Sequence, residues 1–212
     1  MASYTRGVPR ISDAAREARR TQILDAARAC FRERGFHQTS MDDILARAQV
    51  SAGGAYRYFS GKDEIIAAIA HETVSSMTTA IEALTAAQPQ PRLAETIPQL
   101  VAVVDQIADG PGQLALMVWG EAQTDPATAA LAQAEGARVR TAVQELVRRA
   151  NPPLVASGTV TADDLGAVLV SLLPGYMLQR RILGGVDASS YAATIAALLD
   201  HDERASRTDP AS

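Results

Sequence analysis

Arg57 stands between two tyrosines in the run Ser51-Ala52-Gly53-Gly54-Ala55-Tyr56-Arg57-Tyr58-Phe59, and the chemistry open to it is recognition rather than bond making. A guanidinium can hydrogen-bond guanine O6 and N7 together, or it can hold a backbone phosphate. Tyr56 and Tyr58 can donate hydroxyls to phosphate or lay their rings on sugar and thymine methyl, and Lys62 adds a point charge on the backbone. The small run from Ser51 to Ala55 would let the N-terminus of a helix approach phosphates closely, where its free N–H groups and dipole favour anions.

Bond-making chemistry finds no comparable set of residues. His71-Glu72 begins like a zinc-protease helix, but position 75 is Ser, so the second histidine is missing. His37, His71 and His201 lie far apart, and the apolar neighbours of Cys30, the only cysteine, suit a buried thiol, so no metal-ligand spacing arises. The chain has neither a Walker-type loop nor G-x-S-x-G. Gly110-Pro111-Gly112 lacks the preceding strand that a phosphate loop needs. The expectation is no catalytic residue, no metal and no cofactor.

Short helices must position the recognition residues. Thr39, with Asp42 three residues later, reads as the N-cap of a helix that turns Met41, Ile44, Leu45 and Ala48 inward. Gln49-Val50 breaks it, Ser51 caps a second helix predicted over Ala52 to Phe59, and Ser60 with Asp63 repeats the cap pattern. Upstream, Ile23, Ala27, Cys30 and Phe31 mark one face of a helix over Asp13–Arg34, which Gly35 stops where a left-handed C-cap is easiest. A capped supporting helix, small residues at the start of the reader and outward donors are what a helix-turn-helix in the major groove requires.

The succession Ile23, Ala27, Phe31, Gly35, Thr39, Ile44, Ala48, Val50-Ser51, Gly53, Tyr56, Tyr58-Phe59 and Lys62 resembles the N-terminal signature of the TetR family of bacterial transcriptional regulators. The resemblance covers about the first third of the chain. It implies a homodimeric, nine-helix, ligand-responsive DNA-binding protein, usually a repressor. Carried over position by position, it implies phosphate contacts at Thr39, Ser51, Tyr56, Tyr58 and Lys62, and base contacts at Ala52, Gly53, Gly54 and Arg57. Three residues depart from the family pattern: Ala52 where lysine is common, Gly54 where threonine is common, and Gln49 where the turn usually has glycine. The first two leave base reading to Arg57, backbone approach or DNA shape.

The rest of the chain fits an all-α body. Apolar residues make up 47% and aromatics only 4%, with alanine dominant, which favours helices. The net charge of −4 divides into +3 over residues 1–65 (11 Lys+Arg, 8 Asp+Glu) and −7 over 66–212 (9 and 16), a basic head on an acidic body. About nine helices are expected, arranged as a basic arm (1–12), a helix-turn-helix head (13–61), an effector-binding and dimerisation body (62–204) and a short tail (205–212). Arg6, Arg10, Arg16, Arg19 and Arg20 could lie along a DNA backbone. Met77, Met117, Trp119, Glu121, Tyr176 and Met177 are the body's candidate pocket residues for an unknown small-molecule effector, with ordinary core packing as the alternative. Leu165, Val168, Leu169, Leu172, Tyr191, Ile195 and Leu198 carry more apolar surface than one small body can cover, which predicts a homodimer through the last two helices. Lacking a signal peptide or an apolar run long enough to span a bilayer, the chain is expected in the cytoplasm, with double-stranded operator DNA as its partner. A second reading keeps the fold without DNA switching, as a ligand-binding or interaction module with a degenerate head; Ala52 and Gly54 are its support.

Overall fold

The computed structural model describes residues 12–109 and 113–207. Every regular element among them is helical, and the chain divides into two compact units, residues 1–68 and 69–212. The basic residues Arg6 and Arg10 and the run Gly110-Pro111-Gly112 lie outside the described residues.

In the first unit, α1 (Asp13–Arg34) opens at Ser12, whose side chain accepts from the Ala15 N–H. It closes at Gly35, where φ 79° and ψ 173° differ from the left-handed C-cap expected there. That region of backbone space is open essentially to glycine alone. Next, α2 (Met41–Ala48) packs on α1 and α3 (Ala52–Ala55) on α2, and α4 (Lys62–Ala86) begins in this unit. The helical period on α1 turns Ile23, Leu24, Ala27 and Phe31 inward to meet Ile44, Leu45, Ala48, Ala55 and Phe59, all buried. Burying each large apolar side chain contributes roughly 1.5–3 kcal/mol. Phe36 returns on α1, its ring edge-on to Phe31 with centroids 4.9 Å apart.

The second unit holds the remainder of α4, then α5 (Leu93–Asp109), α6 (Gln113–Glu121), α7 (Pro126–Ala150), α8 (Pro153–Ala156), α9 (Ala162–Leu178) and α10 (Ala188–Arg207). A π-helical turn, Gln179–Leu183, extends α9. The four-residue α8 follows Asn151-Pro152, with Pro153 in its first turn. Asp125 and Thr161 cap α7 and α9, and Pro126 occupies the first turn, where its missing N–H has no partner to lose. Pro98 and Pro174 sit inside α5 and α9.

Packing in this unit pairs α5 with α10 and α7 with α9. At Gly166 the α7–α9 approach is so close that an added Cβ would lie 2.7 Å from Gln144 Cγ and 3.2 Å from Gln144 Cα. Only glycine admits that spacing, which sets the faces α9 presents inward and outward. Tyr176 is buried, donates its hydroxyl to Asp105 Oδ1 at 2.6 Å and stacks beside Tyr191; Arg180 Nε lies 2.6 Å from the same carboxylate oxygen.

Candidate nucleic-acid interface

The helix-turn-helix is built by three local devices. Ser40, rather than Thr39, caps α2: its hydroxyl accepts from the Asp43 N–H at 3.1 Å while Asp43 Oδ2 accepts from the Ser40 N–H at 2.9 Å. This reciprocal pair satisfies two of the N–H groups that a helix start leaves open. Gln49 then ends α2 in the left-handed region at φ 52° and ψ 42°, the geometry for which glycine is usual. Gln49→Gly is therefore expected to raise the midpoint of thermal unfolding, by the equivalent of about 1 kcal/mol. A lower midpoint would count against strain at this residue. Ser51 caps α3 by accepting from the Gly54 N–H at 3.3 Å.

The reader helix is shorter than the eight residues predicted. It covers Ala52–Ala55, and Tyr56, Arg57 and Tyr58 follow in a turn before buried Phe59. Tyr56 is 54% exposed and Arg57 is exposed, while Tyr58 is half-buried. Ala52 and Gly53 are exposed, and an added Cβ on Gly53 would meet nothing within 4 Å. Small residues thus present backbone, not side chains, at this end of the head.

Thr39 is placed differently from the phosphate contact expected of it. It is 1% exposed, and its hydroxyl donates to the Gly35 carbonyl at 2.7 Å, with the Cys30 carbonyl at 3.3 Å. These are carbonyls at the end of α1, so its proton serves the joint between α1 and α2. Lys62 is half-buried and donates to the Phe36 carbonyl at 2.7 Å, which leaves two ammonium protons for an outside acceptor. Ser60 pairs through its N–H and hydroxyl with Glu64, at 2.6 and 2.8 Å, rather than with Asp63.

Four arginines of the head have acid partners within it. Arg47 meets Glu33 with two bonds of 2.6 Å, Arg34 meets Asp43 at 2.7 Å, Arg28 meets Asp25 at 2.8 Å, and Arg20 faces Glu17 and the Phe59 ring. Ser40 and Arg34 together hold the Asp43 carboxyl down to about 2, against an ordinary 3.8. A depressed carboxyl contributes stability above its unfolded value and loses it as pH falls through the folded one. The unfolding midpoints of wild type and Asp43→Asn should therefore differ above pH 4 and converge as pH falls toward 2. A gap that stays constant would mean that the Asp43 charge does not matter.

Among the described residues Arg57 makes no hydrogen bond or ion pair and Arg19 is bonded only to the neutral Gln22. Both line one depression of about 200 Å³ on the head, with Ser51, Gly54 and Tyr58, and with Gln49 and Val50 completing the lining. Sequence spacing does not single out Gln22, whose bond to the Ala48 carbonyl at 2.7 Å joins residues 26 positions apart.

In the second unit the candidate pocket residues do not gather at one place. Met77 lines an apolar cavity with Ile81, Val101, Val143 and, from α9 and α10, Leu169, Leu172, Tyr191 and Ile195. About 40 Å³ of it is open to the centre of a water molecule. Met117 and Glu121 lie half-buried on α6, with Trp119 packed against the core; Tyr176 and Met177 are buried in that core. Four residues expected at a dimer interface thus face the protomer's own interior cavity, and Leu165 packs on the same core. Val168, 56% exposed, and Leu198, 70% exposed, point outward, joined by exposed Leu178, Ile182 and Leu183. Among the described residues no helix is long and apolar enough to cross a membrane.

Residues 23–69 match the family model of the bacterial regulatory proteins, tetR family. Among curated relatives, the transcriptional activator FasR of Mycolicibacterium smegmatis is 38% identical over 66 residues, covering 31% of this chain and 30% of FasR. The transcriptional repressor Rv1474c of Mycobacterium tuberculosis is 34% identical over 70 residues, 33% of this chain and 37% of the repressor. The chain thus spans about a third of the length of these relatives. The fold extends further: Salmonella enterica GusR superposes with a TM-score of 0.71 over 92% of this chain and 100% of its own, at 21% identity.

Proposed function

We propose that this chain, with tetR-family sequence through its head and the fold of GusR through both units, is a DNA-binding transcriptional regulator, acting as a dimeric repressor that a small molecule releases from a palindromic operator. The observation carrying the reading is the capped α2–turn–α3 unit, whose exposed end offers bare backbone, Tyr56 and two guanidinium groups that have no acid partner among the described residues. Two copies would place their readers in successive major grooves, about one helical turn apart. The outward apolar row of Val168, Leu178, Ile182, Leu183 and Leu198 is the surface a second copy would cover.

The effector we propose is small and largely apolar, because the cavity wall is almost wholly hydrocarbon. Pockets for drug-sized ligands measure roughly 300–1,000 Å³, so such a ligand must open this one, and its binding favours the expanded state. Helix α4 supplies Met77 and Ile81 to that wall and begins at Lys62 in the head, which makes it the element through which expansion alters DNA affinity.

Affinity for the DNA upstream of the chain's own coding sequence, titrated with salt, tests the reading. A repressor of this kind loses affinity steeply as salt rises, since phosphate contacts release counterions. Failure to bind at low salt would overturn it in favour of a helical module with a degenerate head, which the side-chain-poor Ala52–Ala55 helix would then explain. Transcription that rises when the protein is added would make it an activator.

A further inference from the structure

We propose that the depression between α1 and the α2–α3 turn seats one backbone phosphate of bound DNA, clamped from two sides by Arg19 and Arg57, which makes Arg19 a DNA-binding residue and Arg57 an anchor rather than a reader of bases. The proposal rests on the DNA-binding reading above and deepens it.

Four features point to an anion there. Two guanidinium groups line one depression with no carboxylate in its wall, whereas Arg28, Arg34 and Arg47 each have an acid partner. Arg19 is aimed rather than loose: its Nη1 donates to Gln22 Oε1 at 3.0 Å, and Gln22 Nε2 donates to the Ala48 carbonyl at the end of α2 at 2.7 Å. Gln22 is thus a positioning residue that ties Arg19 to the turn. Ser51 accepts the Gly54 N–H, so its hydroxyl proton remains for an outside acceptor. Gly54 keeps the place open, because a Cβ there would lie 3.1 Å from Ser51 Oγ and 3.4 Å from Val50 Cγ1.

A phosphate suits this arrangement better than a base edge does. Arg57 follows the last residue of α3, in a turn, and does not project from the face of a longer helix as the sequence suggests. Two planar forks converging on one tetrahedral anion are a common use of arginine. Base discrimination would then fall to Tyr56, to the exposed backbone of Ala52 and Gly53, and to DNA shape.

Full-length protein is titrated against two duplexes of equal length, one enriched by this protein from a random pool and one scrambled, over a range of salt concentrations. Wild type, Arg19→Gln, Arg57→Gln and the double variant are compared, with circular dichroism melts establishing that these exposed substitutions leave the fold intact. Each single variant is expected to weaken binding to both duplexes about tenfold and to lower the salt slope by less than one per bound subunit, because the remaining arginine still neutralises the shared phosphate, whereas the double variant lowers it by about one. The double variant should lose less than the product of the two single losses, since both groups hold the same phosphate. Gln22→Met should weaken binding in the wild-type background and have little effect on Arg19→Gln. Losses that multiply would assign the two arginines to separate phosphates, and a loss confined to one base pair of the enriched duplex would make Arg57 a base reader; either overturns the clamp. Failure of wild type to enrich any duplex from the random pool at low salt would instead overturn the DNA-binding reading, and an unaltered Arg19→Gln with wild type bound would overturn the clamp alone.

Discussion

Phe31→Ala is expected to unfold the head and abolish DNA binding on every sequence, at low salt as well as high. The ring is fully buried and packs edge-on against Phe36, with an interplanar angle of 86°. Truncating such a ring costs about 3–5 kcal/mol, the lost transfer energy plus the cavity left behind. A core of fewer than roughly 80 residues rarely supplies more than about 3–5 kcal/mol in total. The substitution therefore removes a margin of the same size as the one that exists. Hydrogen exchange at residues 44–48 is the direct readout, because α2 packs on α1 through Ile44 and Leu45. Protection there that survives Phe31→Ala would show that the head has a source of stability other than this core.

The same residues show what the sequence could disclose. Ile23, Ala27 and Phe31 recur at helical spacing, and their burial follows from the period alone. The cap of α2 does not follow, because Thr39 with Asp42 and Ser40 with Asp43 are the same motif displaced by one residue. Backbone geometry at the end of α1 chooses between them, turning Thr39 inward to the Gly35 carbonyl and leaving Ser40 at the helix start. The reader helix falls short of its predicted length for a related reason. The Ser51 cap marks where the helix starts and not where it ends; Gly53 and Gly54 each weaken a helix by about 1 kcal/mol, and the segment turns after Ala55.

In α9 the limit is different. Nearly every face of this helix is apolar, so periodicity does not separate the residues that meet a partner from those that meet the protomer's own core. Leu169 and Leu172 go to the cavity, while Val168 faces outward, a division set by the contact of Gly166 with Gln144. That contact joins positions 22 residues apart and leaves no local trace beyond a glycine in a helix, where a kink or simple tolerance would leave the same mark. Arg19 and Gln22 are legible as helix-surface residues only. Their relation to the α2–α3 turn is tertiary, and spacing does not carry it.

Thr39→Val should separate a structural hydroxyl from a DNA-contacting one. Valine keeps the shape of threonine and removes the proton that the Gly35 and Cys30 carbonyls share. At 1% exposure no water can replace it, so the head is expected to lose about 1–3 kcal/mol, the penalty of a buried acceptor left without a donor. Binding measured well below the lowered unfolding midpoint should match wild type, because the folded head presents the same surface to DNA. Thr39→Ser, which retains the proton, should recover most of the stability. The opposite pattern, an unchanged midpoint with affinity reduced in Thr39→Val and kept in Thr39→Ser, would require the hydroxyl to turn outward on binding and reach a phosphate. In that case the joint between α1 and α2 rearranges on DNA, and the affinity of the head includes the free energy of breaking the bond to Gly35.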